Sequence, residues 1–508
     1  MLSKVLSFAV LGIEAFLVEV EVDLSKGLPG ITIVGLPDSS IKESRERLRS
    51  ALKNSGFSPS LSKITINLAP ADLRKEGSHF DLAMAVGILV AEEIVPQSAV
   101  ERKAFLGELS LDGSIKGVKG ILPSVMLAKE LNLDEVIIPT ENLKEGALVK
   151  GVKVRAFSHL REVFTYLTTG EGGLEACGLA EESILPQYEV DFSEVVGQEL
   201  AKRTMEIAAA GNHNILIIGP PGAGKTMLAQ RLPTILPPMS DKEILETTKI
   251  YSVSGLLTPE RPLINFRPFR NPHFSVSEVG LIGGGNPPRP GEVSLAHNGV
   301  LFLDEFPEFR RDVIEALRQP LEDGYVVITR ANATVTYPAR FLLVCAMNPC
   351  KCGYLGHPTK ACQCTPQEIR KYKSKLSGPI LDRIDLHVEV PPVEIGELLA
   401  EKKSSGVSSA EVRERVLFAR EKQKIRQGDK TNAELKPKEI KKVCLLEPGV
   451  ESFLEASAKR LSLSARALHK VLKVARTIAD LEGRERIAKE HVLEALQYRV
   501  LERKLYEV

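Results

Sequence analysis

Gly219-Pro220-Pro221-Gly222-Ala223-Gly224-Lys225-Thr226 reads as a complete G-x-x-x-x-G-K-[ST] loop, and its flanks are those such a loop requires. Asn214-Ile215-Leu216-Ile217-Ile218 before it is an apolar run that suits a buried strand, and Met227-Leu228-Ala229-Gln230-Arg231-Leu232 after it opens a helical pattern. Backbone N–H groups from Gly222 to Thr226 can then point into one concavity, at a helix N-terminus that adds partial positive charge where phosphates sit. Lys225 is expected to reach the β- and γ-phosphates, and the Thr226 hydroxyl to ligate magnesium. A chance match in a glycine turn would lack this order of strand, loop and helix.

Further along, Gly299-Val300-Leu301-Phe302-Leu303 leads into Asp304-Glu305, an apolar strand that ends in two acids. An isolated Asp-Glu at a strand end is commonly just solvated. Paired with a phosphate loop, Asp304 is expected to hold magnesium through water and Glu305 to polarise the attacking water. The two motifs together point to binding and cleavage of a nucleoside triphosphate.

Composition sets bounds around this core. The 508 residues suit about three domains. A hydrophobic content of 43% can bury real cores, while a formal charge of +1 excludes any global attraction to nucleic acid or acidic membranes. The helix-like opening, Met1 to Val18, is not read as a signal sequence, because Glu14 and Glu19 interrupt it and no small-residue cleavage site follows. No apolar run approaches the roughly 20 residues needed to span a bilayer, so a cytoplasmic protein without membrane contact is expected. The seven cysteines are too few for a disulfide scaffold, and four of them crowd between 350 and 364.

Residues 1–167 alternate strands (Phe16 to Val22, Ile31 to Val34, Ile64 to Leu68, Glu135 to Pro139) with helical runs (Ser39 to Ser55, Asp81 to Ala91, Leu122 to Leu131), which predicts a self-contained α/β domain. Glycines and scattered acids make 168–190 a linker by composition. The nucleotide core is expected over 191–392 with a parallel sheet, and a helical domain over 393–508. From Glu401 onward the chain carries 25 basic against 17 acidic residues. Such an excess is more often a solvated face than a nucleic-acid site.

Other segments narrow the class. Val344-Cys345-Ala346-Met347-Asn348 is a strand ending in an amide that can orient the attacking water, and Leu381-Asp382-Arg383 and Ser464-Ala465-Arg466 add two arginines. The order Gly219, Asp304, Asn348, Arg383, Arg466 resembles that of AAA+ ATPases, which implies an arginine finger at Arg383 and a lid-domain sensor at Arg466. Closer still, Arg267-Pro268-Phe269-Arg270-Asn271-Pro272-His273, Leu281-Ile282-Gly283-Gly284-Gly285, Pro290-Gly291-Glu292-Val293-Ser294-Leu295-Ala296-His297-Asn298-Gly299 and Asn348-Pro349-Cys350-Lys351-Cys352-Gly353 resemble the ComM/YifB family of magnesium-chelatase-like AAA+ proteins. The resemblance covers nearly the whole chain. It implies an AAA+ P-loop core with a helical lid, ATP and Mg2+ as cofactors, and a homo-hexamer that drives branch migration of single-stranded, forked or branched DNA during natural transformation.

Two insertions would carry the DNA contact. Glu278 to Gly291, with Gly283, Gly284 and Gly285, resembles the loop inserted into the second helix of this clade, a plain surface loop being the alternative. Tyr325 to Arg330 and Thr334 to Tyr337 have the pattern of a β-hairpin around Ala331-Asn332-Ala333. It resembles the hairpin that projects into the ring pore of helicase relatives, where Arg330 would meet phosphate without regard to base sequence.

Cys350, Cys352, Cys362 and Cys364 fit a tetrahedral zinc site, although C-x-C is tighter than the usual spacing. Reduced unligated thiols are the alternative, with His357 as a substitute ligand. Cys177, Cys345 and Cys444 read as ordinary small residues.

The N-terminal domain resembles the Lon-protease-like fold, with Lys75-Glu76-Gly77-Ser78-His79-Phe80-Asp81 at the nucleophile loop. His79 falls where the catalytic Ser would be and Leu122 where the Lys base would stand. Ser78 without an adjacent base is a weak nucleophile, so the protease fold is read as retired. A DNA motor is therefore the favoured function, a chelatase-type ATPase that remodels a protein partner is the alternative, and an ATP-dependent protease lacks its dyad.

Overall fold

The computed structural model describes residues 2–57, 62–73, 75–176, 188–330, 333–392 and 406–506. The chain opens as a β-hairpin, Leu2–Leu11 pairing antiparallel with Glu14–Ser25, which corrects the helix-like reading of Met1 to Val18. Period-two patterning decides it. Val18, Val20 and Val22 are buried, while Glu19 and Glu21 face the other way and both pair with Lys4, at 3.5 and 3.2 Å.

This hairpin is the centre of an eight-stranded mixed sheet. Its order is Leu174–Glu175, Lys153–Phe157, Glu135–Pro139, Lys103–Phe105, Leu2–Leu11, Glu14–Ser25, Lys63–Ala69, Gly30–Val34. The first of these strands lies in the segment read as a linker, so the sheet runs on to Glu175; residues 177–187, with Cys177, lie outside the described residues. Helix Asp81–Ala91 is buried at every position, as an all-apolar helix must be. A β-carbon on its Gly87 would come within 2.7 Å of Val22 Cγ2, so the helix lies close against the sheet.

The second sheet has five parallel strands in the order Phe269–Arg270, Val300–Leu303, Leu342–Met347, Ile215–Ile218, Leu386–Glu389. The middle three are apolar runs buried along their whole length, as parallel strands covered on both faces require. Behind it stand the helices of the C-terminal part, from Ser409–Gln427 to Lys489–Tyr506. Val412, Val416, Val471, Val474 and Ile478 share one core with Ile207, Leu228 and Leu232, so these helices pack directly on the helices beside the five-stranded sheet.

The N-terminal domain docks on the core at two places. Ser252, near the end of helix Asp241–Ser254, donates its hydroxyl to Glu145 Oε1 at 2.6 Å. At the turn of the opening hairpin, a β-carbon on Gly12 would lie 2.4 Å from Val335 Cγ1, on the hairpin Tyr325–Arg330 / Ala333–Pro338.

Candidate functional site

Strand Ile215–Ile218 delivers the chain to Gly219 at the carboxyl edge of the five-stranded sheet, and helix Lys225–Ile235 leaves immediately afterwards. Gly222 and Gly224 both have φ of +78°, the left-handed backbone that turns the loop around an anion. Two strands away, Val300–Leu303 ends at Asp304. The Thr226 hydroxyl donates to Asp304 Oδ2 at 2.8 Å, so the two expected magnesium ligands already meet.

Lys225 Nζ donates to the carbonyl oxygens of Gly219 and Pro220, at 2.8 and 2.9 Å, and to Asn348 Oδ1 at 3.0 Å. Burial lowers its pKa, against the upward pull of Asp304 and Glu305. A bound phosphate would pull it back upward. Glu305 follows in the left-handed conformation, φ +51°, with its N–H on Asp304 Oδ1 at 2.9 Å, and its side chain is exposed beside the loop. Lys225, Thr226, Asp304, Glu305 and Asn348 thus converge on one edge of the sheet, as the motifs predict.

The two arginines lie elsewhere. Arg383 precedes strand Leu386–Glu389, which runs parallel to Ile215–Ile218 in the register Ile215↔Leu386. It therefore stands at the opposite edge, about 13 Å from the phosphate loop along a four-residue strand. Its guanidinium meets Glu322 and the Pro379 carbonyl. Arg466, with 81% of its side chain exposed, is beside it, 3.9 Å from Asp382.

Sequence reasoning missed what holds this arginine segment. Asn214 Nδ2 donates to Arg383 O at 2.9 Å, and Ile384 O accepts from Lys470 Nζ and Arg499 Nη1, at 3.1 and 2.9 Å. His213 Nδ1 lies 2.9 Å from Asp385 Oδ2, and its Nε2 2.8 Å from the Thr477 hydroxyl. Burial would raise the Asp385 carboxyl, yet the His213 bond and the Lys470 charge outweigh it and hold it below its ordinary range. Helix Ala465–Leu481 and the Arg383–Asp385 segment are thereby tied through buried polar bonds. Gln198 was missed too; its Nε2 props the phosphate loop at Ala223 O, 2.8 Å away.

The two insertions form one body. Gly283 and Gly284 pair with Pro290 and Arg289 as a small ribbon. Arg330 Nε donates to Gly285 O at 3.4 Å, and Tyr337 donates to Pro288 O at 2.8 Å. Arg330 is exposed at the end of its strand, with the tip residues 331 and 332 outside the described residues. This unit precedes strand Leu342–Met347 and so projects from the edge opposite the phosphate loop.

The four thiols of Cys350, Cys352, Cys362 and Cys364 lie within 4.8 Å of one another. Separations of 3.3, 3.7 and 3.6 Å are close to the edge of about 3.8 Å that a tetrahedron of Zn–S bonds would have. The Cys352 N–H points at Cys364 Sγ, 3.4 Å away. Backbone N–H groups of Tyr354 and then Gln363 draw the Cys352 thiol below its ordinary range. The donor set fits zinc.

In the N-terminal domain, the Ser78 hydroxyl is bonded to Glu108, and burial lowers the His79 imidazole to about 4 with Nε2 on Phe8 O. The Leu122 N–H donates to Glu145 Oε1 at 2.8 Å, the same oxygen that receives Ser252. Through Glu145 the N-terminal domain grips the core.

Comparison with known proteins covers nearly all of the chain. Family models match for magnesium chelatase subunit ChlI over residues 191–398, for subunit ChlI of Mg-chelatase over 20–142, and for the ChlI C-terminal region over 406–499. Competence protein ComM of Haemophilus influenzae is 46% identical over 100% of this chain and 99% of its own. YifB of Salmonella typhimurium is 46% identical over 98% and 97%. Lon protease 2 of Bacillus subtilis is 34% identical over 25% of this chain and 22% of its own. Among the described residues no helix is long and apolar enough to cross a membrane.

Proposed function

Because the chain belongs to the ComM/YifB family of magnesium-chelatase-like AAA+ ATPases, we propose that it is a cytoplasmic, hexameric DNA motor that uses ATP to drive branch migration of recombination intermediates, in natural transformation. The observation that carries this reading is the joined ribbon and hairpin, with Arg330 on Gly285, at the sheet edge opposite the ATP site. The hairpin leads through Ala339 and Arg340 into strand Leu342–Met347, which ends at Asn348. A shift at the γ-phosphate sensor can therefore move the DNA-facing tip as a lever. With a net charge of +1, strands must be gripped by such local contacts to phosphate, which suits a motor indifferent to sequence.

With nucleotide bound, Lys225 and the loop N–H groups would bind the phosphates, Thr226 and Asp304 would hold Mg2+, Glu305 would take the proton of the attacking water and Asn348 would orient it. Mg2+ supplies charge neutralisation on the phosphate oxygens.

The test is a labelled four-way junction with ATP and magnesium. Arg330→Ala should keep basal ATPase and ring formation but lose DNA-stimulated hydrolysis and junction movement by about tenfold, with the salt dependence of binding shallower by about one unit of slope. The family models all describe chelatase subunits, which favours remodelling of a protein partner as the second reading. If wild-type rings hydrolyse ATP yet move no forked, three-way or four-way substrate, that second reading takes over.

The thiol cluster is assigned to structural zinc, held by Cys350, Cys352, Cys362 and Cys364. Metal analysis should find about one zinc per chain, lost on Cys364→Ser. Less than a tenth of an equivalent, in protein purified without chelator, would remove the assignment.

A further inference from the structure

The thiol cluster is built onto the ATP site. Only Pro349 separates Cys350 from Asn348. The N–H of Gly353 donates to Cys350 O at 3.0 Å and closes the first turn of the knuckle. A β-carbon on Gly353 would come within 2.6 Å of Pro221 Cδ and 3.8 Å of Asn348 Cγ, so the knuckle backbone rests directly on the phosphate loop. From Cys364 the chain enters helix Pro366–Lys373, capped by Thr365, whose hydroxyl accepts from the Glu368 N–H. That helix brings Tyr372, 7% exposed, back to the same strand end, where its phenol oxygen faces the Asn348 backbone. Asn348 in turn receives Lys225 Nζ.

Asn348 is therefore flanked by the segment the four thiols close, through Gly353, and by the helix that leaves it, through Tyr372. A short chain with glycines at 353 and 356 has little core of its own, so its order depends on the metal. Anything that orders it also orders Pro221 and Asn348.

We infer that the Cys350–Cys364 knuckle is a strut of the ATP site: Gly353 and Tyr372 are positioning residues that hold Pro221 and Asn348 in the nucleotide-binding arrangement, so that zinc and ATP strengthen each other's binding. The inference rests on the zinc assignment above and deepens it. Because coupling between two binding sites is reciprocal, each ligand must change the other's affinity by the same factor.

The experiment uses the full chain, with zinc content measured first. Zinc is partitioned at equilibrium against a chromogenic chelator, with and without a saturating non-hydrolysable ATP analogue and Mg2+. The analogue should tighten zinc binding by at least about fivefold. Metal-stripped protein should bind a fluorescent ATP analogue more weakly by the same factor, and added zinc should restore it. Pro221→Gly and Tyr372→Phe, which remove the two contacts without touching a thiol, should keep their zinc and lose most of the coupling. Zinc-bearing wild type that saturates with the analogue yet partitions zinc identically overturns the strut alone. Protein without zinc overturns the strut and the metal assignment together.

Discussion

Glu305→Gln should bind ATP with nearly unchanged affinity and hydrolyse it slower by a factor on the order of 10²–10⁴, the usual contribution of a positioned general base. The substitution keeps the size of the side chain and removes only its capacity to accept a proton. The backbone that places it is independent of the carboxylate: Glu305 is fixed by its left-handed φ of +51° and by its N–H on Asp304 Oδ1. Asp304 would still meet Thr226, so Mg2+ and nucleotide should still be held. Lys225→Ala is the opposite case. Its ammonium bridges two loop carbonyls and Asn348, and its loss should weaken nucleotide binding itself. Equilibrium binding of a fluorescent ATP analogue beside single-turnover hydrolysis separates the two. A Glu305→Gln protein that hydrolyses ATP at the wild-type rate would show that the base is another residue.

How much of this was legible in the sequence follows from the range of the forces involved. The phosphate loop, the Asp304-Glu305 strand end and the Asn348 strand end each carry their own local signal, an apolar run followed by a chemical group. Placing three such runs in one parallel sheet brings the groups together without further information. The four thiols were legible for the same reason. The second strand of the opening hairpin was legible in Phe16 to Val22, where apolar and acidic residues alternate; the first was not, because its Leu, Val and Ala also suit a helix, and pairing with Glu14–Ser25 and Lys103–Phe105 makes it a strand. The braces of the arginine segment were invisible. His213, Lys470, Thr477 and Arg499 have no motif, and they reach residues 383 to 385 only after the lid has docked.

The N-terminal domain shows the same limit from another direction. His79 and Leu122 at the two protease positions were legible as a loss. The gain was not: Glu145, which burial pushes upward against the bonds from Ser252, Leu122 and Asn142, and the Gly12 turn set against Val335. These contacts place Glu145 on helix Asp241–Ser254 and the Gly12 turn on hairpin Tyr325–Arg330 / Ala333–Pro338, so the N-terminal domain can serve as a fixed frame for that hairpin.

Arg383→Ala should lower ATP hydrolysis by a factor on the order of 10³–10⁵, the range over which an arginine finger acts on phosphoryl transfer, without weakening ATP binding by the same subunit. The reason is placement. Arg383 lies at the sheet edge opposite its own phosphate loop, on a segment fixed by Asn214, Lys470 and Arg499, so it cannot swing through the core to its own nucleotide. In a ring whose interfaces run head to tail, that edge faces the next subunit's loop. Arg466, 3.9 Å from Asp382, would arrive at the same foreign site. Subunits carrying Arg383→Ala retain an intact loop, and subunits carrying Lys225→Ala retain an intact finger. Each alone should form inactive rings. Mixed in equal amounts, about one interface in four pairs a good loop with a good finger, and hydrolysis should recover to about a quarter of the wild-type rate if interfaces act independently. Recovery should peak near equal mixing and vanish at either extreme. Mixed rings, verified by differential tagging, that show no recovery at any ratio would mean that Arg383 works within its own subunit, and that the lid and its His213–Asp385 tie must then move far enough to carry it there.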